Sequence, residues 1–196
     1  MRDITAAIVF AVAVATAPAL HAQAPMNVAP SGRGTTEVTL VLADSAARAA
    51  ATPSKIKIDF GQPHLRGRSI LTDSLVPYDR RWRTGANAAT TLTTDVDLVL
   101  GGATIPQGRY ILETLPSRSG WKLIVQKEID VPEGTPEPEY DPANDVARID
   151  LRQAGLASPL ESMTFWLIPS REAGTPKGEL VLSWGTISLS TTWAVR

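Results

Sequence analysis

Alternation with a period of two is the feature that most restricts this chain. Ile56, Ile58 and Phe60 alternate with Lys55, Lys57 and Asp59. Leu92, Val96, Leu98 and Leu100 share a face opposed by Thr91, Thr93, Asp95 and Asp97, and near the end Ile187, Leu189, Trp193 and Val195 alternate with Ser188, Ser190 and Thr192. A backbone whose side chains point to opposite faces at each step reads such a pattern as a strand with one buried and one wet side. Further strands are predicted at 38–42, 109–115, 121–127, 146–151, 163–168 and 179–184. Turn chemistry separates them. Gly101-Gly102 suits a two-residue hairpin needing positive φ at both positions, Pro106-Gln107-Gly108 a tight reversal, and Gly185-Thr186 a hairpin with glycine first. Many short strands with Gly/Pro turns predict an all-β fold, a single antiparallel β-sandwich domain over residues 37–196 with little helix. The exception is 44–51 (DSAARAAA), whose alanines favour a short helix.

The first 22 residues carry a different pattern. Arg2 is followed by an almost purely apolar run from residue 4 to residue 15, Pro18 breaks it, and small residues follow. This is the layout of a secretory signal peptide. Cleavage after Ala22 avoids leaving Pro25 at the new N-terminus, and the apolar run falls short of the roughly 20 residues that span a bilayer. The expectation is an exported protein, periplasmic or extracellular, with no membrane anchor after cleavage. Residues 23–36 (QAPMNVAPSGRGTT), rich in Pro, Gly and small polar residues, are expected to be a disordered lead. Residues 128–145 (EIDVPEGTPEPEYDPAND) read as an acidic, proline-rich surface loop, because its prolines interrupt strand and helix alike.

The chain of 196 residues has no cysteine and a formal net charge of −1. Disulfides, thiol nucleophiles and cysteine metal sites are therefore excluded, and the charge offers no basic footprint for nucleic acid. The predicted mature chain retains one histidine, His64, so a Ser-His-Asp triad has only that residue to recruit, and no Gly-x-Ser-x-Gly elbow is present. Glu137, Glu139, Asp141, Asn144 and Asp145 supply oxygen ligands but match no calcium-loop spacing, and no metal or cofactor is expected.

Two arginine-bearing loops remain, 62–68 and 78–87 (YDRRWRTGAN). Arginine makes forked, charged hydrogen bonds that recognise carboxylates, phosphates or sugars beside aromatic faces. The candidate binding residues are His64, Arg66, Arg68, Tyr78, Trp82, Arg83 and Asn87. The competing reading is structural: Arg83 and Asn87 anchor an irregular loop to the sheet, while Arg80 and Arg81 are more exposed. The functional expectation is a non-catalytic binding or structural module of the cell envelope, its partner a carbohydrate, a small anionic ligand or a protein. The alternative is a hydrolase-type enzyme whose acids converge only in three dimensions.

These stretches carry a resemblance. Phe60-Gly61-Gln62-Pro63, Arg66-Gly67-Arg68, Leu75-Val76-Pro77-Tyr78 and Trp82-Arg83-Thr84-Gly85-Ala86-Asn87 resemble the signature of a bacterial domain-of-unknown-function family, number 2911. So do Ala89-Thr90-Thr91, Ile105-Pro106-Gln107-Gly108-Arg109-Tyr110, Trp121-Lys122-Leu123-Ile124, Tyr140-Asp141 and the final Trp184 hairpin. The resemblance runs from about Glu37 to the C-terminus. It implies an exported β-rich domain and brings no activity. Where the family shows an acid after the asparagine of its Trp-Arg-Thr-Gly-Ala-Asn stretch, this chain has Ala88, and 46–51 is unlike the family's usual strand. N-terminal mass spectrometry of the protein recovered outside the cytoplasm should find it beginning at Gln23; a retained Met1 would overturn the export expectation.

Overall fold

The alternating stretches form strands that pair antiparallel throughout. The computed structural model describes residues 24–72, 74–128 and 140–196; the expected signal segment and most of the acidic connection, residues 129–139, lie outside them. The elements are β1 (Ser31–Leu40), α1 (Ser45–Ala50), β2 (Ser54–Pro63), β3 (Thr90–Thr94), β4 (Leu98–Leu100), β5 (Ala103–Ile105), β6 (Gly108–Ser117), β7 (Gly120–Lys127), β8 (Asp145–Pro169) and β9 (Lys177–Val195). They run in one hydrogen-bonded order, β1-β2-β3-β6-β7-β8-β9-β4-β5. The all-β, antiparallel expectation holds. The strand order is continuous, however, and does not by itself delimit the two separate sheets of a sandwich.

What brings the ends of this order together is β8. Its first part pairs with β7 as far as Leu151 opposite Trp121, and from Arg152 opposite Ser190 it pairs with β9 instead. The later part of β8 lies against β1 and β2. Thr36 Oγ1 accepts from the Leu167 amide at 3.2 Å, Gln62 Nε2 donates to the Met163 carbonyl at 3.0 Å, and the Leu65 amide donates to the Glu161 carbonyl at 2.8 Å. Inside, the Phe60 ring meets Phe165 edge-on at 5.2 Å between centroids. Ile56, Ile58, Leu92, Leu112, Leu123, Val125, Met163, Leu182 and Trp193 complete a core in which each large side chain, fully buried, contributes about 1.5–3 kcal/mol.

Local sequence explains most elements. Asp44 caps α1, its carboxylate accepting from the Ala47 amide at 2.7 Å, as the Asp-Ser-Ala-Ala start implies. Gly101 and Gly102, at φ +54° and +88°, make the expected β4–β5 hairpin.

Four expectations are corrected. The 92–100 face is two strands. β3 pairs with β2 and β6, β4 pairs with β5 and β9, and the chain turns the corner at 95–97, where Thr94 Oγ1 donates to the Val96 carbonyl at 2.7 Å. The predicted hairpin at Gly185-Thr186, and with it the final Trp184 hairpin, is instead a bulge within an unbroken β9. Gly185, at φ +57°, pairs with Leu160, and between there and the Gly155–Ile187 pair β8 advances five residues while β9 advances two. Positive φ at a glycine serves a bulge as readily as a turn. The Pro106-Gln107-Gly108 reversal joins β5 to β6, which are not neighbours in the sheet, so it is a corner rather than a hairpin.

Finally, the lead expected to be disordered over 23–36 includes Ser31 to Thr36, which belong to β1 and pair in full with β2. Glycines weaken β propensity in isolation. Here Gly34 is required, since a Cβ there would stand 2.6 Å from the Phe60 ring. No described helix is long and apolar enough to cross a membrane.

Gly61 shows how closely the sheet is approached from outside: a Cβ there would lie 1.6 Å from the Ala86 carbonyl oxygen. Gly61→Ala should therefore lower stability by about 3 kcal/mol, whereas Gly32→Ala, which meets open space, should stay within about 0.5 kcal/mol. Urea midpoints of the two variants check this; equal midpoints would show that the 82–90 loop is not seated as described.

Candidate functional site

The 78–87 loop is held to the sheet by its backbone, its threonine and one of its arginines, Arg81. β3 begins at Thr90, opposite Leu112 of β6. Beyond that point Trp82 takes the place of the missing strand: its amide donates to the Thr114 carbonyl at 2.8 Å and its carbonyl accepts from the Thr114 amide at 2.9 Å. Thr84, fully buried at φ +56°, places its hydroxyl 3.1 Å from both the Trp82 carbonyl and Thr114 Oγ1, and its own carbonyl accepts from Thr90 Oγ1 at 2.8 Å. The Ala86 amide donates to the Gly61 carbonyl at 3.2 Å. Irregular backbone has few sheet partners, and the threonine hydroxyls supply them. Trp82 stacks on Trp184 at 5.9 Å and 12° between ring planes, as its size demands.

The arginines divide the work differently from the expectation. Arg83 is exposed and donates to the Asn87 carbonyl at 2.6 Å, while Asn87, at φ +61°, donates from Nδ2 to Ser31 Oγ at 2.8 Å. Their bonds tie the loop to itself and to the start of β1 and do not reach the core. Arg80 is exposed. Arg81, exposed as expected, is nonetheless the best-held of the group: it pairs with Glu113, and its guanidinium carbon stands 3.7 Å from the Tyr140 ring centroid. Glu113 lies 32 positions away, which is why a local motif could not reveal it.

Tyr140 continues into a polar cluster on the outer face of β6–β8. Its hydroxyl donates to Asp145 Oδ2 at 2.8 Å, Arg148 Nε donates to the same oxygen at 2.7 Å, and Gln126 Nε2 donates to Oδ1 at 3.1 Å. Burial pushes the Asp145 carboxyl upward, but these three hydrogen bonds outweigh it and hold its pKa below the usual carboxylate value. Burial, then the Asp145 hydrogen bond and charge, raise that of Tyr140. The cluster covers the face that carries Ile124, which is buried outside the main core.

In the other loop, His64 Nδ1 lies 2.8 Å from Ser162 Oγ at an antiparallel bridge between the two residues. Arg68 folds back, donating to the His64 carbonyl at 2.8 Å and the Leu65 carbonyl at 3.0 Å. Arg66 donates from its amide to Glu161 Oε1 at 2.8 Å and from Nη2 to the Val28 carbonyl at 3.1 Å. Tyr78 faces the Arg118 guanidinium at 4.9 Å. Each of the seven candidate residues is bonded or stacked within the chain. Of the oxygen ligands weighed for calcium, Glu137 and Glu139 lie outside the described residues. Asp141 accepts from the Ala143 amide at 2.9 Å, and Asp145 belongs to the cluster above.

A groove that motif reading missed lies across the wet face of β2, β3 and β6. Its volume is ≈ 430 Å³, its floor Thr91 and Thr93, and its sides include Arg33, Lys57, Asp59 and Arg109. Sheet register puts Lys57, Thr93 and Arg109 in one row across three strands. Arg33 pairs with Asp59, Lys57 Nζ stands 4.0 Å from Asp59 Oδ2, and Arg109 grips Glu128 with two nitrogens, holding that carboxyl below its usual pKa. Thr93, Arg109 and Glu128 also line an adjoining open depression of ≈ 950 Å³. The only sequence signal was the polar half of the alternation, Lys57, Asp59, Thr91 and Thr93.

A family model described as "Protein of unknown function (DUF2911)" matches residues 43–192. No curated protein and no solved structure matches the chain.

Removing the Arg81 guanidinium leaves Glu113 without its partner and Tyr140 without its cation. Arg81→Ala should cost about 1–2 kcal/mol, and Arg83→Ala and Arg80→Ala each within about 0.5 kcal/mol. Denaturant midpoints giving the opposite order would return the anchoring role to Arg83.

Proposed function

Because the chain belongs to the DUF2911 family, whose description names no activity, we propose its role from its own surface: an exported, non-catalytic binding module of the cell envelope whose ligand lies in the groove over β2, β3 and β6. The groove carries this reading. Its ≈ 430 Å³ falls in the size range of small-ligand sites. Two threonine hydroxyls lie between cations on β2 and β6, a chemistry that recognises ligands rich in hydroxyls and carrying negative charge. An acidic envelope saccharide is such a ligand. The single-histidine chemistry supports binding over hydrolysis, since the His64 ring is engaged by Ser162 and its carbonyl by Arg68, neither of which is a carboxylate that orients a general base. The apolar run and small residues of 1–22 support export.

Isothermal titration of the mature chain with trigalacturonic acid tests the groove. Lys57→Ala and Thr93→Val should each weaken binding about tenfold, near 1.4 kcal/mol, and Ser158→Ala, on the exposed part of β8, should leave it unchanged. Affinity indifferent to all three substitutions, or no binding heat with the unaltered chain, would remove the groove as the ligand site.

A further inference from the structure

β1 is seated on the sheet in the manner of a bound peptide. Its ten residues pair with β2 from Ser31–Pro63 to Leu40–Ser54 without a break, yet none of them is fully buried. Only Val38 and Leu40 reach the core, as partly buried side chains. Besides the main-chain ladder along one edge, its attachments include surface ion pairs (Arg33 with Asp59, Glu37 with Lys55), one bond from the Leu167 amide to Thr36 Oγ1 and the approach of Gly34 to Phe60. A main-chain ladder with few buried anchors is how strand addition holds an extended segment.

The connection to β2 is equally loose. Residues 41–53 include α1, which buries no residue, and leave Val41 and Leu42 about half exposed over an apolar cavity of ≈ 220 Å³. A segment with few buried contacts opens at low free energy.

The far end of β1 is received by side chains that read backbone and hydroxyl rather than bulk. Arg66 donates to the Val28 carbonyl just ahead of the strand and Asn87 to Ser31 Oγ, while Arg33 of β1 itself donates to the Ala88 carbonyl at 3.4 Å. The family match begins at residue 43, after this strand, so the surface that receives β1 is built by the family-matched part of the chain.

We propose that the β2 edge, with Arg66 and Asn87 at its end, is a strand-acceptor site, and that β1 of a second copy of this chain occupies it by reciprocal exchange. The acceptor is complementary to Ser31–Leu40 in every register position, so the occupant it fits best is the same segment from another copy. Two identical acceptor edges and two identical strands close into a two-fold pair in which neither β2 edge is left unpaired. Residues 41–53, roughly 3.3–3.6 Å each when extended, span about 45 Å at most, enough to reach a neighbour. The exchanged pair also changes the groove: Arg33 comes from one copy, and Lys57, Asp59 and Thr93 from the other. The exchange stands whether or not the groove binds a saccharide.

The absence of native cysteine makes the test direct. Thr39 is opposite Lys55. The Lys55 amide and carbonyl both bond to Asp95 on the other side of the strand, so this is a pair of the closer, non-hydrogen-bonded kind, with a separation that accepts a disulfide. Full-length mature Thr39→Cys and Lys55→Cys chains are mixed, incubated at increasing concentration, oxidised and digested for mass spectrometry. A mixture of Thr39→Cys with Ser158→Cys measures random collision. Exchange predicts the interchain 39–55 disulfide in at least about tenfold excess over the 39–158 one, because paired strands hold the thiols at millimolar effective concentration. A 39–55 yield no higher than the collision control means that β1 stays with its own chain, and the proposal fails.

Discussion

At the step from Leu151 to Arg152 one strand exchanges its neighbour, β7 on one side for β9 on the other. The rest of the architecture depends on that handover. A flat nine-stranded sheet would leave both faces of every strand in water and would have no interior. Because β8 continues in register with β9 after leaving β7, the later strands turn back over the first ones, and Phe165 meets Phe60. The bulges at 155–160 and 160–164 supply the bend. They also explain why this segment, RQAGLASPLES, reads as no strand at all: its residues are mostly exposed, it has no alternation, and Pro159 sits where the ladder is already irregular.

Sequence was most informative where a strand is half buried and has an ordinary neighbour. Ile56, Ile58 and Phe60 declared their face because burial alternates with the backbone pleat. The alanines after Asp44 declared a helix through propensity, a local effect. Reading failed where one local signal has two physical uses. Gly185 gives φ +57° whether the chain reverses or bulges, and the choice is made by Leu160, far away in sequence. The 92–100 alternation persists through a corner because Leu92, Leu98 and Leu100 all face the same core although their strands belong to opposite ends of the sheet order.

The candidate site was legible in kind more than in place. The two arginine loops are irregular and polar, as their composition implies, but the order of importance within YDRRWRTGAN depended on Glu113, Tyr140 and Thr114, which no window around the motif contains. Thr84, the innermost residue of the loop, gives no local signal of its role, because a threonine at φ +56° is uncommon. The groove row of Lys57, Thr93 and Arg109 comes from three strands and exists only through register, a property that single-strand periodicity leaves open.

The fastening of residues 82–90 bears on how chains of this kind can vary in length. Trp82 is bonded to Thr114, Ala86 to Gly61 and Thr90 to Leu112, three attachments within nine residues, on strands that are themselves in fixed register. One inserted or deleted residue between them would displace a buried threonine or drive a carbonyl into Gly61. Along 156–159 the opposite holds. β8 there already carries more chain than β9 can pair, and an added residue enlarges an existing arch without moving any partner. Changes in chain length are therefore admitted at the β8 arch and refused in the tryptophan loop, which leaves substitution as the loop's route to variation.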